Sequence, residues 1–581
     1  MIDRPDPTPS AARVSCGNPS PAPACSGGPS VPPPPDPRRT ALEKLPRALD
    51  LPGDFTSLTP TARLAALLAL PDPGKVVRRL RADEFYQLIN GIGLEDAHGL
   101  LPYGTSEQRK AYVDIDAWSG WRFQPRRLDR ILEVAREVSS DFAMRLLNDL
   151  DPEVIALRLM TATSEVLTTD EVEARGLPDE GVVGTPDGTF MLICKDPEDI
   201  EVMRRWLDLL YAWDQDETYR ILHALRRETL ASLEEDSFRF RDARLQDLGF
   251  PGAAERFAIF EPFDRTPLRE RLKEGGTSAA RPSGPLPLAL SLAGTDRGLF
   301  FWTALEALAD SPRLPIFITD LLYLVNRVLG VRTDDWFESE EWTESAAQVL
   351  RWVSVGLEDL SAGDTEEAAR IATLSSPVEL FRAGVEALRP AHIRARKVVA
   401  EAGGTANLRR FDEPTAAMLQ ALASFPPKVA DEADPHLPRD PRSMADVARA
   451  ERVSLAAEVV ARFARQALGF DPSAAAPGTG PSFATVVATA WARGVLSGAP
   501  SLEPLSGDEL QSLRAVAFEG ARIRPALRRP AMTATATPTA EELAIREFLG
   551  SALDKVEETL GGLDPAVPVD LRFVGDALIV K

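Results

Sequence analysis

Apolar side chains recur along most of this chain with the period of an α-helix. Leu128, Ile131, Leu132 and Ala135 form one such stripe, and a second begins at Trp206 and continues at spacings of three, four and seven residues. A stripe of this width must pack against a neighbouring element to be buried. The pattern therefore predicts a mainly α-helical protein.

Capping signals mark where these helices begin. The Ser376 hydroxyl can accept a free backbone N–H, the Pro377 ring presets a helical φ, and the Glu379 carboxylate can reach back to the cap. All three effects favour a helix that begins at this point. The box of a hydroxyl followed three residues later by Glu or Gln recurs at residues 105–108 and 506–509. These signals predict helices across most of the chain.

Two segments depart from the helical pattern. Residues 182–193 place a Pro-Asp-Gly turn between two apolar arms, which predicts a β-hairpin, and residues 569–580 form a second candidate. Two similar phrases, near residues 77–85 and 146–154, join an apolar helix end to an acidic turn and a new helix. They favour stacked helix pairs, in superhelical or irregular domains, over a closed bundle. The predicted fold is thus mainly α with one or two small β-hairpins.

Proline and glycine divide the chain, whose 581 residues exceed what one core usually organises. The first 40 residues hold 12 prolines and few large apolar side chains, and residues 273–285 form the best linker. The predicted parts are a disordered head at 1–40, a helical domain at 41–270 with the hairpin near 182–193, a linker at 271–290, a second helical domain at 291–530, and a tail helix with a terminal hairpin at 531–581.

The net charge of the chain limits the kinds of partner it is expected to bind. The 66 Lys and Arg against 88 Asp and Glu give a net charge of −22, which disfavours nucleic acid and anionic membranes as partners.

Cys16, Cys25 and Cys194 are too dispersed for a disulfide framework. The start lacks an apolar signal core, and the most apolar stretch, 314–331, contains Asp320. We expect a cytoplasmic protein without a membrane span.

Motifs for chemistry are sparse. The four histidines are dispersed, and the spacings of common zinc, acyl-transfer and phosphate-loop sites do not occur. His98 near Glu95 fits a solvated helix face better than a metal site, and Asp114 with Asp116 fits a capping loop better than a cation site. The sequence therefore identifies no catalytic, cofactor or metal residue; whether the protein is an enzyme stays open, and the pattern favours a protein that is not one.

One acidic aromatic stretch is a candidate docking surface. Residues 334–344 hold six acids around Trp336, Phe337 and Trp342. The three rings are suited to anchor a partner inside a charged rim. The alternative, which we favour, places the rings in the core at the start of a helix, where acids suit the positive N-terminus.

Several phrases resemble an uncharacterised bacterial protein family, a domain of unknown function. They lie at residues 93–97, 107–108, 116–118, 185–188, 245–251, 321–326 and 380–384. The resemblance covers about residues 45–400 and is loose beyond. It implies a bacterial setting and a helical protein, and it supplies no site. Residues 76–160 are also similar in arrangement to cytoplasmic helical domains of magnesium transporters, which is an analogy of shape alone.

Two functions remain open, of which we favour the first. The first is a helical scaffold or adaptor that binds protein partners through a concave, acidic surface, because packing signals abound where site signals are missing. The second is an enzyme or small-molecule sensor whose pocket is built from carboxylates and arginines distant in sequence. The sequence indicates neither the specific partner or ligand nor the oligomeric state of the protein.

Overall fold

The predicted capping boxes form and start helices. Thr105 Oγ1 accepts the Gln108 backbone N–H at 3.1 Å, and the Gln108 side chain accepts the Thr105 N–H at 2.8 Å. Ser376 and Glu379 make the same reciprocal pair. Each pair satisfies backbone donors that a helix end leaves free, so these helices begin where the sequence predicts.

The computed structural model is mainly α-helical, which confirms the predicted fold class. It describes residues 39–176, 178, 180–252, 255–275, 287–292, 295–472, 480–528, 539–563 and 568–581. Nearly all of the predicted disordered head, with Cys16 and Cys25, and most of the predicted linker lie outside the described residues. Residues 38–581 form one compact unit.

The helices up to residue 247 surround a first hydrophobic cluster, with Leu45 of the first helix joining a second. Both predicted stripes contribute to the first cluster: Leu128, Ile131, Trp206 and Leu210 are buried. These helices are α1 Arg39–Ala48, α2 Pro60–Leu68, α3 Pro73–Val77, α4 Ala82–Ile92, α5 Ser106–Asp116, α6 Pro125–Val138, α7 Ser140–Asp149, α8 Pro152–Ala162, α9 Thr169–Arg175, α10 Pro197–Trp213, α11 Gln215–Leu225 and α12 Leu230–Asp247.

Later helices build a second cluster and a smaller third one near the C-terminus. The clusters extend across the predicted linker: Trp342 belongs to the first, and Phe260 belongs to the second. The predicted division into two helical domains stays a prediction. The later helices are α13 Thr266–Glu274, α14 Phe301–Ala307, α15 Leu314–Arg332, α16 Ser339–Ser361, α17 Thr365–Leu374, α18 Pro377–Glu401, α19 Glu413–Ala423, α20 Met444–Leu468, α21 Phe483–Ser497, α22 Gly507–Ala517, α23 Pro525–Arg528 and α24 Ala540–Gly561.

Two long helices of the second cluster, α16 and α18, touch backbone to backbone. A Cβ added to Gly356 would overlap the Leu380 carbonyl oxygen, and one added to Gly384 would overlap the Trp352 carbonyl oxygen. Only glycine permits so close an approach. The two glycines thereby fix where the helices cross.

Helix α15 is long and apolar enough to cross a membrane by length and composition alone. In its most apolar window, 61% of the residues are buried inside the protein. A buried core helix meets the same criteria, and Phe317, Leu321 and Val325 of α15 lie in the second cluster. The expected lack of a membrane span stays a prediction.

Short β-strands lie between some of the helices. The strands are β1 Trp118–Ser119, β2 Arg122–Phe123, β3 Thr163–Thr168, β4 Val182–Gly184, β5 Phe190–Cys194, β6 Val429–Ala430, β7 Pro438–Arg439, β8 Phe518–Glu519 and β9 Arg522–Ile523. They pair antiparallel in the orders β1-β2, β3-β5-β4, β6-β7 and β8-β9.

The predicted hairpin near 182–193 is confirmed as β4 and β5. Its turn centres on Asp187, whose carboxylate accepts hydrogen bonds from the hydroxyls of Thr185 at 2.7 Å, Thr189 at 2.6 Å and Tyr211 at 2.8 Å. The third strand, β3, was not predicted; it pairs along the other side of β5 and supports the hairpin.

The hairpins β1-β2 and β8-β9 repeat one local design. In each, an eleven-residue helix with a capping box leads into two two-residue strands. The turns contain Gly120 and Gly520 at φ values of 58° and 62°, and the next helices begin at Pro125 and Pro525. This repeat was not among the features predicted from the sequence.

The predicted terminal hairpin is wrong. Residues Leu571–Phe573 form a 3-10 turn, in which Asp570 accepts the Arg572 backbone N–H. Val580 instead forms a single parallel bridge with Leu505, next to α22. The two apolar arms have the right composition for strands, but the last residues find their backbone partner in a distant loop.

Candidate functional site

The rings predicted as docking anchors lie mostly inside the protein. Trp336 is 5% exposed and Trp342 is 2% exposed. The Trp342 Nε1–H donates to the Trp336 carbonyl at 2.6 Å, and the Arg241 guanidinium lies 4.9 Å from the centre of the Trp336 ring. Phe337 is half-buried beneath the Arg127 guanidinium, 3.4 Å from its ring centre. The two tryptophans therefore act as core residues here.

The other polar groupings have structural partners. Asp114 accepts two hydrogen bonds from Arg244, at 2.7 and 2.8 Å; burial raises the pKa of Asp114, and Arg244 opposes that shift. His98 bonds the Glu95 carbonyl through Nδ1. Among the residues that the structure describes, no three or more metal-binding side chains gather together.

A cleft of about 680 Å³ opens between α15, α16, α19 and the segment that follows α19. Two phenylalanines line it with much of their surface in solvent: Phe257 is 48% exposed and Phe425 is 58% exposed. Their rings meet edge to face with centroids 5.7 Å apart, and the buried Phe260 ring lies 5.9 Å from Phe425. We call this feature the aromatic cleft. Paired exposed rings in a concave surface are typical of a binding site.

The lining of the aromatic cleft includes a buried amide. Gln348 on α16 is 3% exposed, and its Nε2 donates to Asp440 Oδ1 at 3.0 Å. Its Oε1 is buried without a donor in the described part of the chain. Trp352 also donates to Asp440, at 3.2 Å, and burial raises the pKa of that carboxyl. The lining thus contains a hydrogen-bond acceptor, Gln348 Oε1, that has no donor among the described residues and is held in place by the bonds of Gln348 and Trp352 to Asp440.

The hairpin β6-β7 forms a wall of the cleft, and arginines hold it in place. Arg439 pairs with Asp431 at 2.5 Å and with Asp446 at 2.7 Å. Arg449 donates to the Ala430 carbonyl at 2.7 Å. Charge-assisted bonds of this kind are short and strong, so the wall is pre-organised although its strands have two residues each.

The charge left available at the cleft is positive. Arg332 and Glu341 pair with each other at 3.2 Å. Lys428 lines the cleft and forms no ion pair with a carboxylate in the described residues, although its charge acts on buried Asp440. In a chain with a net charge of −22, this local excess favours an acidic group on whatever binds.

Comparison with known proteins identifies a family. A family model matches residues 43–580, which is nearly the whole chain, and its description is a family of unknown function, DUF6178. The chain belongs to the DUF6178 family. The predicted resemblance is thereby confirmed and extends beyond residue 400. No curated protein and no solved structure matches this DUF6178 chain, so the bacterial setting and the analogy to magnesium transporters stay predictions.

Proposed function

We propose that the protein is a helical adaptor that holds an extended segment of a partner protein in the aromatic cleft. The observation that carries the proposal is the pair of exposed rings, Phe257 and Phe425, over a cleft of about 680 Å³. Binding energy at protein interfaces concentrates in aromatic anchors that lose their water. Leu437, in the loop between β6 and β7, is a further exposed apolar side chain, with 62% of its surface in solvent.

The chemistry of the cleft indicates the kind of segment it accepts. An apolar side chain can pack against the exposed surfaces of Phe257 and Phe425, and a nearby carboxylate suits Lys428. The unused Oε1 of Gln348 favours a segment that brings an N–H group, as extended peptide backbone does. We therefore expect a partner sequence that combines an aromatic or aliphatic residue with an acidic one.

The proposal includes a cytoplasmic setting and protein partners, without nucleic acid. Cys194 is a buried free thiol, which is compatible with a reducing compartment. The acidic concave surface expected from the sequence stays a prediction, because the cleft described here carries positive charge.

Peptide display against the full chain tests the proposal. Selection is expected to enrich peptides with the predicted apolar and acidic pair. Phe425→Ala is expected to weaken their binding by about tenfold or more, because it removes an anchor. Phe573→Ala is the matched control, since Phe573 is 76% exposed and lies elsewhere.

Reversal of the Lys428 charge distinguishes specific recognition of an acidic residue from non-specific apolar binding. Lys428→Glu is expected to shift the selected peptides from acidic to basic. A selection without a shared motif, or peptides that bind equally well to Phe257→Ala, Phe425→Ala and the parent protein, would contradict the proposal.

A further inference from the structure

A second concavity, of about 250 Å³, lies on another face of the first turn of α16. We call it the polar cavity. Helices α2 and α4 and the 3-10 turn Leu290–Leu292 complete its wall. Its polar lining residues are Arg63, Gln87, Asn90, Ser291, Ser339 and Thr343. It is separate from the aromatic cleft, because Glu341 of the same turn lines the cleft instead.

Arg63 brings an unbalanced positive charge to the polar cavity. Its guanidinium is half-buried, and one nitrogen donates to the Thr56 carbonyl. It forms no ion pair with any carboxylate in the described residues, and its Nε is buried without an acceptor. Burial lowers the pKa of Arg63, as expected for a cation without a counter-ion. A guanidinium with free donors suits a carboxylate or a phosphate.

Ser291 adds a buried hydroxyl without a partner. The residue is 4% exposed and lines the cavity, and its Oγ has no hydrogen-bond partner in the described part of the chain. Buried polar groups normally have partners. A hydroxyl left unused in the lining of a cavity is available to bond a ligand there.

The segment that carries Ser291 is held in a defined position. Glu84 of α4 accepts the backbone N–H of Leu288 at 2.8 Å and that of Ala289 at 2.5 Å. Ala289 has a φ of 61°, an uncommon conformation for a residue other than glycine. Because Gln87 and Asn90 follow on α4, one helix both lines the cavity and anchors its opposite wall.

The start of α16 contributes further donors. This helix runs for 23 residues, and its N-cap, Glu338, makes no side-chain capping bond. Ser339 and Thr343 lie one turn apart on the exposed rim of the cavity. The positive end of a helix with free backbone N–H groups stabilises an anion nearby. Glu340 of the same turn is exposed to solvent and opposes this effect in part.

We propose that the polar cavity binds a small oxyanion, a carboxylate or a phosphate group, paired to Arg63 and hydrogen-bonded by Ser291. The cavity is smaller than the roughly 300–1,000 Å³ typical of pockets for drug-sized ligands, so the ligand is compact. Charge, free donors and size all point to the same ligand class.

Isothermal titration of the full chain with inorganic phosphate, and separately with succinate, tests the proposal against a chloride background of equal ionic strength. At least one ligand is expected to bind saturably with one site. Binding of phosphate alone would assign a phosphate group, and binding of succinate alone would assign a carboxylate. The absence of saturable binding by both would overturn the proposal.

Two variants locate the binding. Arg63→Gln is expected to weaken it by about tenfold or more, because it removes a charge-assisted partner. Arg79→Gln is the matched control: Arg79 is also half-buried, donates to one carbonyl, that of Ala48, and lies outside the cavity. Equal losses in both variants would contradict the assignment to this cavity.

Ser291→Ala distinguishes ligand binding from a structural role. Without ligand, its thermal midpoint is expected to equal or exceed that of the parent, because the variant removes an unpartnered hydroxyl. Its affinity for the oxyanion is expected to fall several-fold. A lower midpoint with unchanged affinity would show that the hydroxyl serves the fold instead.

Discussion

Asp129 and Arg158 form a bidentate ion pair in the first hydrophobic cluster. The Arg158 Nε donates to one carboxylate oxygen at 2.6 Å and its Nη2 donates to the other at 2.8 Å. Trp206 donates to the same carboxylate at 2.8 Å. The pair therefore joins α8 to α6 and α10, the two helices that carry the predicted apolar stripes.

Removal of one member of this pair is expected to destabilise the protein strongly. Asp129→Ala leaves the Arg158 charge buried, with only Asp199 nearby at 3.4 Å, and we expect a loss of about 3–5 kcal/mol in the free energy of unfolding. The double variant Asp129→Leu, Arg158→Met should recover much of that loss, because the buried pair is removed as a whole and Asp199 keeps its ion pair with Arg126 at 3.3 Å. Urea unfolding of the parent and the two variants measures both effects, and a double variant no more stable than Asp129→Ala would contradict the pairing.

The close contact between α16 and α18 predicts that a Gly→Ala substitution destabilises the protein there, whereas the same substitution in an open position of another helix does not. Gly384→Ala places a Cβ against the Trp352 carbonyl and is expected to cost about 2–3 kcal/mol or more. Gly550→Ala in α24 meets nothing within 4 Å and should stabilise the protein by up to about 1 kcal/mol through helix propensity. Thermal unfolding compares the two variants; equal midpoints would mean that the helices separate more readily than this contact implies.

Glu84 makes stability depend on pH. Burial, reinforced by Asp83, raises the pKa of Glu84 to about 7, against the opposing effects of Arg81 and two backbone N–H groups. The folded state then retains a proton that the unfolded chain loses near its ordinary value of 4.5, so stability falls as the pH rises from about 4.5 through 7.

The pH effect is measured against Glu84→Gln, which cannot ionise. The unfolding free energy of the parent relative to this variant is expected to decrease by about 3 kcal/mol over that interval, since one pKa unit corresponds to about 1.4 kcal/mol. Urea titrations at several pH values give the two curves. Curves that run parallel would exclude Glu84 as the titrating group.

The acidic aromatic stretch can be tested by its tryptophans. Trp342→Ala removes a ring that is 2% exposed and is expected to lower stability by about 3–5 kcal/mol. Trp121→Ala is the control, because that ring is 65% exposed, and its thermal midpoint should change little. An unchanged midpoint for Trp342→Ala together with lost partner binding would instead support the docking interpretation.

Local physics explains which elements could be predicted from the sequence. A capping box or a Pro-Asp-Gly turn is decided within a few residues, so Ser376 and the turn at Asp187 were identified correctly. Strand β3 was missed because it is recognised only through its distant partner β5, where Val166 opposes Leu192. The terminal arms predict a hairpin because their composition is that of strands, whereas in the structure Val580 pairs with Leu505.

The aromatic cleft could not be predicted because its residues come from distant parts of the chain. Phe257 and Phe425 read like any core phenylalanine, and only their exposure in the fold distinguishes them. Residues 424–443 are rich in proline, which indicates a break between helices but not that the segment forms a wall of a cleft. Arg63 and Ser291 in the polar cavity are likewise distinguished by the partners they lack.

The glycine crossing has a consequence for selectivity at the aromatic cleft. Gln348 lies eight residues before Gly356 on α16, about 12 Å along the helix axis. Because the backbones of α16 and α18 are in contact, α16 cannot slide to accommodate a longer side chain, and the Gln348 amide stays at a constant depth. If the aromatic cleft holds a peptide as proposed, we therefore expect the selected peptides to vary little in the length of their buried side chain.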